Sequence, residues 1–199
     1  GKSWEIGAKY EMPGGLTGSL ALFDIRKKNV LVSQFNSVTG LTEWRTSGAA
    51  RSRGMELDVA GEIDSRWSTI GSLAVLDAKT TRDPEYAGNR LWNVARVTAS
   101  AGAVYNVGEL LGSDQLRVGA RARYSGRRPG DSANSFWLPS FTVADLFATY
   151  DTAIMDRKVR FQFNVKNLTD RTYYTSSVNE YGLALGDARQ VSVTASFEF

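Results

Sequence analysis

There is no cysteine among the 199 residues, so disulfides, thiol nucleophiles and thiolate metal sites are excluded within this chain. There is no histidine either. That removes Ser-His-Asp catalysis and imidazole metal ligation. No apolar run approaches 18 residues, although 42% of the residues are hydrophobic, so a membrane-spanning helix is excluded. Gly1 to Tyr10 has no apolar core of a signal peptide. Either such a signal was removed or the chain is part of a longer protein. A single-signed charge is missing as well: 24 basic and 21 acidic residues leave a net charge of +3, too mild a balance for a nucleic-acid partner.

What the chain has is alternation. Val191, Val193, Ala195, Phe197 and Phe199 are apolar, and Ser192, Thr194, Ser196 and Glu198 between them are polar. A period of two puts each set on one face of a β-strand. Similar segments recur at Trp4 to Tyr10, Met55 to Val59, Trp67 to Val75, Val97 to Tyr105, Leu116 to Tyr124, Ala144 to Tyr150 and Val159 to Val165. Leu16 to about Ser33 is also β-rich, but its phase is open, because Leu20 and Leu22 compete with Ala21, Phe23 and Ile25. The reading is all-β, with about nine strands.

Two kinds of connection alternate between these strands. Those near residues 12–15, 64–66, 107–114 and 151–156 are short, and those near 36–46, 80–93, 126–139 and 169–188 are long. Ser37 to Ser47 reads as polar loop. Short turns at one end and long loops at the other are the layout of an antiparallel up-and-down transmembrane β-barrel. Trp4, Tyr10, Trp67, Tyr105, Tyr124 and Tyr150 fall at strand ends, as an interfacial aromatic girdle requires. Arg117, Arg121 and Arg123 share one strand face opposite Leu116, Val118, Ala120 and Ala122. Arg near the bilayer midplane costs roughly 2–4 kcal/mol, so that face is expected to line the lumen, with Asp145 on the next strand as a partner. A soluble two-sheet sandwich also alternates. Its core should be rich in Leu, Ile and Phe, whereas strands five and six here offer mostly Ala and Val.

Several segments, in order, resemble the C-terminal part of TonB-dependent siderophore receptors. Glu5-Ile6-Gly7-Ala8-Lys9 resembles the family's E-x-G-x-K strand, and Phe23-Asp24-Ile25 with Asn29-Val30 its F-x-I…N-V strand. Arg51-Ser52-Arg53-Gly54-Met55-Glu56 is close to R-S-R-G-x-E. Gly88-Asn89, Tyr124-Ser125-Gly126-Arg127 and Leu138-Pro139 follow at familiar spacing. Asn167-Leu168-Thr169-Asp170-Arg171-Thr172-Tyr173-Tyr174 resembles N-L-x-D-x-x-Y-Y. Ala95 and Ala188 stand where the family often has proline.

The resemblance implies that residues 1–199 are the last nine or so strands of a 22-stranded barrel, without the N-terminal plug and the earlier strands. It implies TonB-energised uptake of a ferric siderophore across the outer membrane of a Gram-negative bacterium, with neither catalytic residues nor a resident metal or cofactor. Iron would enter only as the chelate. Implied partners are the siderophore, the TonB complex through the plug, outer-membrane lipid and the barrel assembly machinery, which would read Phe197 and Phe199 as its signal. The alternatives are a receptor of the same family for cobalamin, haem or a glycan, and a passive porin. Trp, Tyr and Arg dominate tight binding surfaces. The expected ligand contacts are therefore Trp92, Arg127, Arg128, Trp137, Tyr174 and Tyr181 in the long loops. The R-S-R-G segment is expected to be structural, with Gly54 allowing close packing and both arginines facing the lumen. Asn167 and Asp170 are expected to close a strand and turn a loop through bonds to nearby backbone.

Overall fold

The structure is a computed structural model that describes residues 1–110, 112, 114–155 and 157–197, with backbone alone at 34–36 and 45. Phe199, the last residue of the expected assembly signal, lies outside the described residues. The chain forms β1 (Lys2–Glu11), β2 (Thr17–Asn36), β3 (Leu41–Glu62), β4 (Trp67–Arg82), β5 (Val97–Gly108), β6 (Gln115–Ser125), β7 (Arg128–Pro129), β8 (Trp137–Leu138), β9 (Phe141–Ile154), β10 (Arg157–Lys166), β11 (Tyr174–Ser177), β12 (Leu183–Leu185) and β13 (Gln190–Phe197). Nine of these make one antiparallel sheet in the order β1-β2-β3-β4-β5-β6-β9-β10-β13. The other four form two small hairpins, β7–β8 and β11–β12, inside the long loops.

Each long strand pairs with its sequence neighbour, so the sheet is an up-and-down meander. Directly paired residues share a face, and the registers therefore sort every side chain. One face carries Ile6, Leu22, Met55, Val75, Val97, Ala99, Ala122, Leu146, Phe163 and Val193. The other carries Glu5, Glu56, Ser72, Ser100, Arg121, Asp145, Asn164 and Ser192. Large apolar side chains on the first face, such as Ile6, Leu20, Leu57, Phe163 and Val193, are exposed. A sheet that presents such side chains outward is solvated by lipid, and its polar face lines a wet or filled lumen.

The open phase of the second strand is decided by pairing. Leu20 lies opposite Leu57 and Leu22 opposite Met55, which places both outward and Phe23 inward. Two expectations change. Ser37 to Ser47 is not a loop: β3 begins at Leu41, and β2 and β3 form one tall hairpin closed over 37–40, where Gly40 has φ +68°. Nor do Arg51 and Arg53 face the lumen. Arg53 is opposite Asp24 and Asp77, and Arg51 opposite Arg26 and Lys79, in phase with Met55 and Leu57 on the outward side. They escape the lipid because these strands continue beyond the apolar band.

The lower rim is tied by its turns. The Asp64 carboxylate accepts the N–H groups of Arg66 at 2.7 Å and Trp67 at 2.8 Å, which holds its pKa below the ordinary carboxylate range. Trp67 and Tyr105 pack with ring centroids 4.8 Å apart, and Arg66 donates to the Tyr105 hydroxyl at 3.1 Å. Trp67 and Tyr105 are thus two members of the expected aromatic girdle, packed together at the lower rim. Asp114, buried at the next turn, accepts the Tyr150 hydroxyl and, at 2.8 Å, that of Thr152.

Candidate ligand-binding loop cap

Three long connections, 83–96, 126–140 and 167–189, rise from the upper rim. Their backbone polar groups cannot all pair within one loop, and side chains of neighbouring loops supply the missing partners. The Asn134 amide nitrogen donates to the Arg90 carbonyl at 3.0 Å, and its oxygen accepts the Arg90 N–H at 3.0 Å. Asn89 donates to the carbonyls of Ser132 and Ala133, both at 3.0 Å. Asn93 and Ser177 exchange bonds: the Asn93 amide donates to the Ser177 carbonyl at 2.9 Å and accepts the Ser177 N–H at 3.1 Å. The buried Ser177 hydroxyl donates to the Gly130 carbonyl at 2.7 Å and accepts the Trp92 indole N–H at 3.1 Å. The three loops form one hydrogen-bonded cap.

The base of the last loop is organised by Asn167, 2% exposed. Its side chain donates to the carbonyls of Arg171 at 2.9 Å and Asp187 at 3.0 Å, and accepts the Arg171 N–H at 2.9 Å. Both Asn167 and Asp170 sit at positive φ, +49° and +52°, a conformation Asn and Asp tolerate. Asp170 accepts the Arg189 N–H at 2.8 Å. The motif is a loop closure, as expected. Asp145, expected to pair with the arginines of β6, lies opposite Arg121 and 3.9 Å from Arg123, and also accepts the Asn167 N–H at 2.9 Å.

Of the six expected contact residues, the structure brings Arg127 to Trp137 and Arg128 to the Tyr174 carbonyl. Arg127 lies over the Trp137 ring at 4.7 Å from its centroid, and Arg90 over the same ring at 5.8 Å. Tyr181 projects from the tip of the last loop, 90% exposed. Trp92 is in the joint between loops. Arg128 is 3% exposed: it donates to the Tyr174 carbonyl and stands 5.5 Å over the Phe141 ring, and burial pulls its pKa down. Arg128 and the Tyr174 backbone are thus already partnered within the cap.

Arg90 was missed by the sequence reading. Its Nε and one Nη are enclosed without a hydrogen-bond partner among the described residues, and burial, then the charges of nearby arginines, lowers its pKa. Such donors are costly unless something accepts from them. Arg90 lines a cleft of about 340 Å³ with Val32, Ala50, Thr80, Tyr86 and Trp92. Apolar walls with a few convergent donors are the usual composition of a small-molecule site. The only sequence signal for Arg90 was its place beside Gly88-Asn89 in a matching motif.

With this geometry established, the chain can be set against known proteins. A family described as TonB dependent receptor-like, beta-barrel, matches residues 1–168. The chain belongs to the TonB-dependent receptor β-barrel family. Members of the family are transport receptors of the Gram-negative outer membrane, which is the chain's location. The chain is 37% identical over 204 residues to the metal-pseudopaline receptor CntO of Pseudomonas aeruginosa, covering 100% of this chain and 28% of the relative. It is 36% identical over 209 residues to the ferrichrome outer membrane transporter/phage receptor of Escherichia coli, covering 100% of this chain and 26% of the relative. The crystal structure of the siderophore receptor PiuA from Acinetobacter baumannii superimposes with a TM-score of 0.81 at 29% identity, over 97% of this chain and 27% of that one. The chain thus spans between a quarter and a third of the length of these relatives.

Proposed function

We propose that this TonB-dependent receptor chain serves uptake of a ferric siderophore, with energy drawn from the TonB complex through a plug in the remainder of the receptor. Residues 1–199 would supply the C-terminal barrel strands and part of the extracellular loop wall. The names of two relatives, a metal-pseudopaline receptor and a ferrichrome transporter, support a metal-carrying small molecule as cargo. Iron would remain in its chelate, so no resident cofactor is required of this chain.

The observation that carries the reading is the locked cap with Arg90 at its cleft. A chelate presents oxygens and flat apolar faces. Arg90 and Trp92 line the cleft, and Trp137 and Tyr181 add aromatic surface elsewhere on the cap. The inner face of β6, with Arg117, Arg121 and Arg123, would meet the plug. Arg117 is already paired with Asp151 at 2.8 Å.

The test is uptake and binding by the complete receptor. Radio-iron uptake from a panel of chelates should single out one class, and deleting tonB should abolish it. Arg90→Gln and Trp137→Ala should each weaken binding by about 1–2 kcal/mol in calorimetry, as truncation of hot-spot groups does. TonB-independent passage of iron would favour a porin, and selective binding of cobalamin, haem or a glycan would replace the siderophore reading.

A further inference from the structure

The inner face of the wall is divided by charge. On β1–β4 the residues in phase with Glu5 and Glu56 include Glu11, Asp58 and Glu62, against Lys9 and Lys27. From β5 to β13 the same face carries six cations among the described residues, Arg117, Arg121, Arg123, Lys158, Arg160 and Lys166, against Asp145 and Asp151. Both of these carboxylates are occupied. Asp145 accepts the Asn167 N–H at 2.9 Å and lies 3.9 Å from Arg123, and Asp151 is held between Arg117 at 2.8 Å and Arg160. The first sector of the lumen wall is therefore net acidic and the second net basic.

The cations of the basic sector stand in file. On β6 the inward positions from the upper rim down are Arg123, Arg121, Gly119 and Arg117, and the rows below hold Arg160, opposite Asp151, and Lys158, opposite Ala153. Successive rows are about 6.6 Å apart. In the Gly119 row, which holds no cation among the described residues, the Phe147 ring lies against that glycine, where a Cβ would come within 2.3 Å of it. Neutral polar side chains, Ser100, Asn106, Gln162 and Asn164, flank the file. At its top Arg127, two residues beyond the end of β6, stands over Trp137 in the cap. The file thus runs from the cap to the lower rim. Like charges at such spacing attract an anion without holding it at any one step, which is what passage requires. The acidic sector repels the same anion. We infer that the chelate is a net anion and that it leaves the cap along this file once the plug is displaced. The guanidinium groups take its charge in turn, and Phe147 meets its flat face. In the resting receptor the same face meets the plug. The inference deepens the siderophore reading above and rests on it, adding the charge class of the cargo and its route.

The test uses the complete receptor in whole cells, with radio-iron supplied on an anionic tris-catecholate, an anionic citrate chelate, a neutral trihydroxamate and a cationic trihydroxamate. TonB-dependent uptake should favour an anionic chelate. In Arg117→Gln/Arg121→Gln the maximal uptake rate of that chelate should fall roughly fivefold or more, while its surface affinity in the cold stays within about twofold, as expected where passage and not binding is impaired. Arg117→Lys/Arg121→Lys should restore about half of the rate or more, because the charge is kept. Glu56→Gln/Asp58→Asn, in the acidic sector, should leave rate and affinity unchanged. Equal or better uptake of a neutral or cationic chelate by the wild type would overturn the inference and leave the siderophore reading standing, and this comparison needs no variant to fold. A wild-type rate in Arg117→Gln/Arg121→Gln, or an equal loss in the acidic-sector variant, would overturn it in the same way. If none of the chelates enters through TonB, the siderophore reading falls and the file falls with it.

Discussion

Trp92 and Ser177 are 85 residues apart in the chain, and the indole N–H of one donates to the hydroxyl of the other over 3.1 Å. The same hydroxyl reaches the Gly130 carbonyl, so one small side chain joins all three loops of the cap. Ser177→Ala would leave the Trp92 donor and the Gly130 acceptor without this partner, at a cost of about 1–3 kcal/mol for the buried Gly130 carbonyl. Amide exchange in 83–96 and 126–140 of the complete receptor should accelerate roughly tenfold or more, with β5 and β6 unchanged. Unaltered exchange in both loops would mean that the cap is held together elsewhere.

Gly54 predicts a different outcome, in the wall. A Cβ there would run into the Val75 carbonyl oxygen and the Leu76 backbone, both on the adjoining strand β4. Neither can move without shifting the sheet. Gly54→Ala should destabilise the barrel by about 1–3 kcal/mol, the usual cost of overpacking. Heat-modifiable mobility of the complete receptor on gels would report it, as a lower unfolding temperature and a smaller folded fraction. Wild-type behaviour would show that β3 and β4 separate more easily than their register suggests.

Asp64 predicts a pH dependence. Its folded pKa is depressed by the two N–H groups it accepts from Arg66 and Trp67. A depressed pKa contributes stability that is present above the unfolded value of about 3.9 and lost as pH falls through the folded value. The stability difference between wild type and Asp64→Asn should be constant from neutral pH down to about 5 and shrink in more acid solution. Unfolding midpoints in urea, followed by tryptophan fluorescence of the complete receptor at stepped pH, would measure this. A difference that grows on acidification would contradict the assigned role of the turn.

Much of the wall was legible in the sequence because a strand against lipid on one side and a wet lumen on the other must alternate. Leu116 to Tyr124 against Arg117, Arg121 and Arg123 could be sorted without coordinates. Asn167 and Asp170 were legible as loop closure because their side chains bond nearby backbone. The loop cap was not legible. Its bonds, such as Asn134 to Arg90 and Asn93 to Ser177, join residues 44 and 84 positions apart, and nothing local to either partner specifies the other.

By itself, then, the sequence determined alternation, the number of main strands and their up-and-down order, since period and turn residues are local properties. Tertiary structure alone decided three things. It fixed the phase of β2, because only pairing with Met55 and Leu57 separates Leu22 from Phe23. It turned Arg51 and Arg53 outward, because a side chain's environment depends on how far its strand rises above the hydrocarbon as well as on its polarity. It left two donors of Arg90 without an acceptor among the described residues, because the strands and loops that enclose that guanidinium are distant in the chain and supplied none.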